Sequence, residues 1–131
     1  MPTILHIDDD KTIRTTFRML AKQYRLYEAY SADDGLEKVA NFIASGIPLD
    51  LVITDQDMNE LQRTTVIQKP NGYDVINGLK TRRYDGPVIL ATTHPFEPAR
   101  VTQYNTGKIT HFDKRKGIPD LVKVVEEILR K

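Results

Sequence analysis

The sequence predicts an α/β domain in which a parallel sheet is covered by helices on both faces. Three observations lead there. Five short apolar runs, Thr3–Ile7, Arg25–Tyr30, Leu51–Thr54, Val88–Ala91 and Lys108–Phe112, have strand length and β-branched or aromatic content. Stretches with apolar residues at helical spacing lie between them, and strands alternating with helices fold as βαβ units. Glycine, proline, asparagine and aspartate punctuate the joints.

Thr3–Ile7 (TILHI) is the first strand, and Asp10 is a helix N-cap able to accept first-turn N–H groups. Ile13, Phe17, Leu20, Ala21 and Tyr24 then recur at helical spacing. The weaker strand Arg25–Tyr30 leads to Ser31-Ala32-Asp33-Asp34, a capping-box-like start with acids in the first turn. Leu36, Val39, Ala40 and Ile43 form the apolar stripe of a second helix, ended by Ser45-Gly46-Ile47-Pro48. After the third strand, Leu51–Thr54, a third helix is expected over Tyr73–Arg83, weakened by about 1 kcal/mol by Asn77-Gly78 inside it. Asp85-Gly86-Pro87 turns the chain into the fourth strand. Pro98 suits a first helical turn, so a short fourth helix is expected over Pro98–Tyr104, stopped by Asn105-Thr106-Gly107. Beyond the fifth strand, Leu121, Val122, Val125, Ile128 and Leu129 mark the apolar face of a terminal helix.

The chain of 131 residues fits one domain, taken as 1–131. Nineteen basic and 18 acidic residues leave a net charge of +1, which gives no electrostatic reason for direct contact with nucleic acid or an anionic membrane. The absence of cysteine excludes a disulfide framework, a thiolate metal site and a cysteine nucleophile. No apolar run is long enough to span a bilayer, and Met1–Asp10 lacks the features of a signal peptide. The expectation is a cytoplasmic protein with no membrane partner.

The stretch LVITDQD, Leu51–Asp57, runs from the most apolar strand straight into acids, although unpaired buried charge is avoided. Ligands of parallel sheets bind beyond the carboxyl ends of the strands. Asp8, Asp9 and Asp10 follow the first strand, Asp55 and Asp57 the third, Thr92, Thr93 and His94 the fourth, and Asp113-Lys114-Arg115-Lys116 the fifth. Crowded carboxylates raise one another's pKa unless a cation intervenes, and Mg²⁺ (or Mn²⁺) is the hard, oxygen-seeking ion that suits them. A lysine and a hydroxyl nearby can hold phosphoryl oxygens. These groups together point to Mg²⁺-assisted phosphoryl transfer with a carboxylate nucleophile.

The segments ILHIDD (Ile4–Asp9), LVITDQDM (Leu51–Met58), PVILATT (Pro87–Thr93) and HFDK (His111–Lys114), in that order, resemble the receiver domains of two-component response regulators. The resemblance covers nearly the whole chain. It implies a doubly wound, flavodoxin-like (βα)5 fold with strand order 2-1-3-4-5. It also implies a phosphorelay role: Asp55 takes a phosphoryl group from a sensor histidine kinase or a histidine phosphotransfer protein and becomes an aspartyl phosphate. In that reading Asp9 and Asp55 ligate the metal directly, Asp8 acts mostly through metal-bound water, and the carbonyl of Asp57 adds a ligand. Thr92 and Lys114 hold phosphoryl oxygens, and Thr92 with His111 forms the switch. Such a protein catalyses its own phosphorylation and dephosphorylation rather than turning over a separate substrate. Its output is an altered surface formed by the fourth helix, fifth strand and fifth helix, read by a downstream protein, by an output domain, or by a second copy in a homodimer.

Several positions depart from the family pattern. Asn59 stands where proline is usual, and an insertion at about 59–71 adds roughly nine residues to a connection that is normally short. It serves either as a lid or partner contact, or as a tolerated surface insertion. Thr93 replaces a smaller residue, and His94 follows at a place that tunes dephosphorylation in the family or is simply an exposed loop histidine. Asp57, Thr93 and His94 are thus candidate rate-tuning residues. His111 occupies the place of the switch aromatic. Arg115 replaces a proline that often follows a cis bond, which without proline costs about 2.5–4 kcal/mol, so a trans or remodelled loop is expected. His6 reads as a core histidine. Two other functions compete: a receiver-like interaction module independent of phosphorylation, and a phosphatase of the haloacid dehalogenase type. Asp55-Gln56-Asp57 resembles the DxD of the latter, but the acid pair precedes it here and no cap domain is available.

Overall fold

Strand sequences alternate their side chains between two faces, and in the runs at Thr3–Ile7, Leu51–Asp55 and Val88–Thr92 every residue is buried, so the middle of the sheet is covered on both faces. The computed structural model describes residues 1–57 and 71–130. Its strands are β1 (Thr3–Ile7), β2 (Arg25–Ala29), β3 (Leu51–Asp55), β4 (Val88–Thr92) and β5 (Ile109–Asp113). They form one parallel sheet in the order β2-β1-β3-β4-β5. That is the order the resemblance implies. The helices are α1 (Lys11–Leu20), α2 (Ala32–Ala44), α3 (Gly72–Thr81) and α4 (Ile118–Arg130). Among the described residues none is long and apolar enough to cross a membrane.

Alternation along the strands builds two cores. Ile4, Leu51, Ile53, Ile89 and Ala91 face α1 and α4, meeting Phe17, Ala21, Leu121 and Val125. Leu5, Ile7, Val52, Val88 and Leu90 face α2 and α3, meeting Leu36, Val39, Ile76 and Leu79. Two residues expected on apolar stripes, Leu20 and Ile43, are exposed instead, and Phe42 is buried in place of Ile43. His6 packs in the first core, its ring 4.8 Å from that of Phe17.

The caps explain where the helices begin and end. Asp10 accepts the N–H groups of Thr12 and Ile13, as expected, and Ser31 accepts that of Asp34. Asn71 and Asp74 make a reciprocal capping box, so α3 starts at Gly72, one residue earlier than the apolar pattern suggests. Gly46, at φ 68°, ends α2 in the left-handed conformation that glycine adopts without steric cost. Arg83 does the same job after α3 at φ 66°, where its side chain is a handicap. There the N–H of Arg83 donates to Lys80 and that of Tyr84 to Leu79, closing the helix two residues short of the expected Arg83.

The fourth helix is the main correction. Four α-helices are present among the described residues where the (βα)5 pattern calls for five. Only Pro98–Arg100 coils, as a single 3-10 turn closed by the Val101 N–H on the Pro98 carbonyl at 3.0 Å, and Thr102–Tyr104 runs on outside any helix. The α3 side chain of Asn77 satisfies that backbone instead, donating to the Arg100 carbonyl at 2.8 Å and accepting from Thr102 and Gln103 N–H at 2.9 and 3.3 Å. Val101, Phe96 and Tyr104 still pack on the α2–α3 core. The expected insertion at 59–71 lies outside the described residues except for Asn71.

Candidate functional site

Parallel register carries the chemistry to one edge. Ile7 pairs with Thr54, Asp55 with Ala91, and Thr92 with Asp113, so the ends of β1, β3, β4 and β5 finish side by side. Asp8, Asp55, Gln56 and Thr92 are buried there, Lys114 is half-buried, and Asp9 and Asp57 are exposed. Carboxylate oxygens of Asp8, Asp9 and Asp55 come within 4.8 Å of one another.

Each acid is held from its backbone. Asp8 Oδ1 accepts the N–H of Asp10 at 2.8 Å, and Arg14 donates to the Asp8 carbonyl at 2.5 Å. Asp55 Oδ1 accepts the Nζ of Lys114 at 3.0 Å and the N–H of Asp57 at 3.3 Å. Gly72 allows α3 to lean on this strand end. A Cβ there would lie 2.6 Å from the Asp55 carbonyl oxygen and 2.8 Å from Gln56 Cα, distances that no side chain tolerates.

Electrostatics follow from burial. Loss of hydration, then the charge of Asp55, pushes the Asp8 carboxyl up to about 7. Loss of hydration also raises Asp55, to about 6, with Lys114 pulling in the opposite direction. Burial pulls Lys114 down, but the carboxylates of Asp55, Asp8 and Asp9 together outweigh it and its pKa is raised. Two buried acids held above their ordinary range beside a third form a donor set that a hard divalent cation fits. Asp8, Asp9 and Asp55 could hold such an ion through oxygen alone.

Other expected residues fall into place differently. The Asp57 carboxylate is not with the three acids; its Oδ2 lies 3.1 Å from His94 Nε2, an exposed pair. Thr93 is exposed just past β4. His111 is exposed on β5, and its Nε2–H donates to the His94 carbonyl at 3.0 Å, with its ring 6.1 Å from that of Phe96. Among the described residues no peptide bond is cis, so Lys114 and Arg115 are joined in trans. Arg115 folds back onto Asp113, and its hydrogen bonds hold that carboxyl down at about 2.

Gln56 is the site residue that sequence reasoning passes over. It is buried, and its Oε1 accepts the hydroxyl proton of Thr92. A lone amide after an apolar strand carries no sign of its partner, which sits 36 residues away on β4.

Residues 4–126 match the family described as response regulator receiver domain. Among solved structures, the chain is similar to a CheY-like response regulator receiver domain protein from Methanospirillum hungatei (21% identity, TM-score 0.72, covering 97% of this chain and 92% of that one). It is also similar to a response regulator receiver domain protein from Clostridium thermocellum (22%, TM-score 0.71, covering 99% and 95%). A third is the receiver domain of the hybrid histidine kinase CckA (20%, TM-score 0.68, covering 97% and 98%). These identities speak for a shared fold. A comparison with curated proteins gives no match. The family match spans most of the sequence, and the sheet order and strand-end acids agree with it; the chain belongs to the response regulator receiver domain family.

Proposed function

We propose that the chain accepts a phosphoryl group on Asp55 from the phosphohistidine of a sensor kinase or phosphotransfer protein, and that the adduct resets a protein-binding surface. The observation that carries this reading is the convergence of three carboxylates within 4.8 Å on a carboxylate that also holds the ammonium of Lys114. Asp8, Asp9 and Asp55, with the carbonyl of Asp57, would hold Mg²⁺ or Mn²⁺. The bound ion would supply positive charge to the transferring phosphoryl oxygens.

The chain's own groups do the rest. An oxygen of the ionised Asp55 forms the new P–O bond while the P–N bond of the donor breaks, and the donor imidazole leaves with the bonding electron pair. Lys114, already aimed at Asp55, takes one phosphoryl oxygen, and the Thr92 hydroxyl takes another. Thr92 sits on β4, which leads into the segment 93–104 and pairs with β5 carrying His111, so its movement is passed to a neighbouring surface. His94 and Asp57, paired across the mouth, bear on access of water to the adduct.

The test is intact mass after incubation with Mg²⁺ and acetyl phosphate, beside an Asp55→Asn control. An acid-labile gain of one phosphoryl group, absent without Mg²⁺ and in the variant, is the expected result. A folded wild type that gains nothing would overturn the proposal and favour a receiver-like interaction module.

A further inference from the structure

The hydroxyl of Thr92 has one proton, and in this structure that proton is already committed. It goes to Oε1 of Gln56, while the hydroxyl oxygen accepts the N–H of His94 at 3.0 Å. Both side chains are buried, Thr92 at 1% exposure and Gln56 at 6%, so water is a poor substitute partner. The Gln56 backbone is fixed on both sides: its N–H donates to Ala91 at 2.9 Å, and its carbonyl accepts from Gly72 at 3.1 Å. The backbone that carries the amide therefore stays in place if the hydroxyl turns toward Asp55.

We infer that Gln56 is a positioning residue that holds the Thr92 hydroxyl in the resting arrangement and competes with a phosphoryl group on Asp55 for its single proton. The inference rests on the reading of Asp55 as phosphoacceptor. Its physical content is a hydrogen-bond exchange. On loading, the Thr92–Gln56 bond breaks, the Thr92 proton turns to a phosphoryl oxygen, and the amide oxygen is left without its donor. A buried acceptor so abandoned opposes the loaded state. Gln56 thus sets how far the resting form is favoured, and through Thr92 it sets the affinity of the site for phosphoryl-like ligands.

The experiment measures beryllofluoride affinity in the presence of Mg²⁺ by calorimetry, for wild type and Gln56→Met, which keeps the length of the side chain and removes the acceptor. Gln56→Leu is the second variant should the first fold poorly. The expected result is binding tighter by roughly three- to tenfold, the effect of one neutral hydrogen bond. In a Thr92→Val background Gln56→Met should shift nothing, whereas in Thr92→Ser, which keeps the hydroxyl, the gain should return. In the metal-free protein, urea unfolding should show Gln56→Met and Thr92→Val to be less than additive, because each breaks the same bond. A side chain that merely packs would lower stability and leave affinity unchanged or weaker, and that result overturns the inference. So would an equal gain in the Thr92→Val background. If wild type gains phosphoryl mass but Gln56→Met binds like wild type, the inference alone fails; if wild type neither gains mass nor binds, both readings fail together.

Discussion

Lys114 Nζ lies 3.0 Å from Asp55 Oδ1, although the two residues end strands separated by the whole width of β4. The ammonium is the nearest compensation for a carboxylate that burial drives toward the neutral form. Replacement by an uncharged side chain should therefore raise the Asp55 pKa above its present value of about 6. For Lys114→Gln the expected rise is about one unit or more, read from the carboxyl ¹³C shift. Accumulation of the proposed acetyl phosphate adduct should fall by roughly tenfold or more, because in that reading a phosphoryl oxygen would lose its partner.

Stability of the metal-free protein should depend on pH through Asp8 and Asp55. Folding raises these carboxyls from 3.8 to about 7 and about 6, so the folded chain binds their protons more tightly than the unfolded one. Their contribution is fully present below pH 3.8 and is lost as pH rises through 6 to 7. The loss is on the order of a few kcal/mol. In the proposed metal site millimolar Mg²⁺ would bind the ionised acids, and it should then restore the loss above neutrality and do little at acid pH. Urea midpoints on either side of this range, with and without Mg²⁺, check the sign.

His6 should bend the same profile the other way. Burial, helped by the charges of Arg14 and Lys114, lowers its pKa from 6.5 to about 3, and its Nδ1 has no hydrogen-bond partner among the described residues. The neutral ring is tolerated above pH 6.5, and stability falls as pH drops toward 3. His6→Leu, similar in volume, removes both the proton and the orphan nitrogen. It should stabilise the fold by about 1–3 kcal/mol, more at mildly acid than at neutral pH, as read by urea unfolding.

Arg83 closes α3 at φ 66° where the equivalent position after α2 is Gly46 at φ 68°. The surrounding hydrogen bonds are those of a helix stop that prefers glycine. Arg83→Gly should raise stability by about 0.5–1 kcal/mol, after the greater freedom of glycine in the unfolded chain is discounted. An urea midpoint that moves down instead would mean the arginine side chain contributes more than its backbone loses.

Much of this architecture is legible in the chain because apolar runs and caps are local signals. The five strands, Asp10, Ser31 and the stop at Gly46 all follow from residues a few positions apart. Asp8, Asp9 and Asp55 come together with Lys114 because parallel strands all end on one edge, where Thr92 also lies, while the Asp57 carboxylate turns to His94 instead. What sequence reading misses depends on distant partners. Pro98 is a fair helix start, yet the turn stops at Arg100, whose guanidinium lies 4.1 Å from the ring centroid of Tyr73, and Asn77 takes over the Arg100 carbonyl and the N–H groups of Thr102 and Gln103. Asn77, which looks like a weak point inside α3, is in fact the support for that neighbour. The Gln56–Thr92 bond and the Asp57–His94 pair likewise join residues more than 30 positions apart.

The missing helix changes how this part of the molecule keeps time. Amides in a helix are shielded by a ladder that opens cooperatively, and those of β4 open only with the sheet. The N–H groups of Thr102 and Gln103 depend on a single side-chain oxygen, Asn77 Oδ1. Their deuterium uptake should run ahead of β4 by orders of magnitude at the same pH. Asn77→Ala should speed it further without touching Val88–Thr92. The strip beside β5 can then refold locally many times for each global unfolding, so a partner that grips it meets an ensemble already in motion.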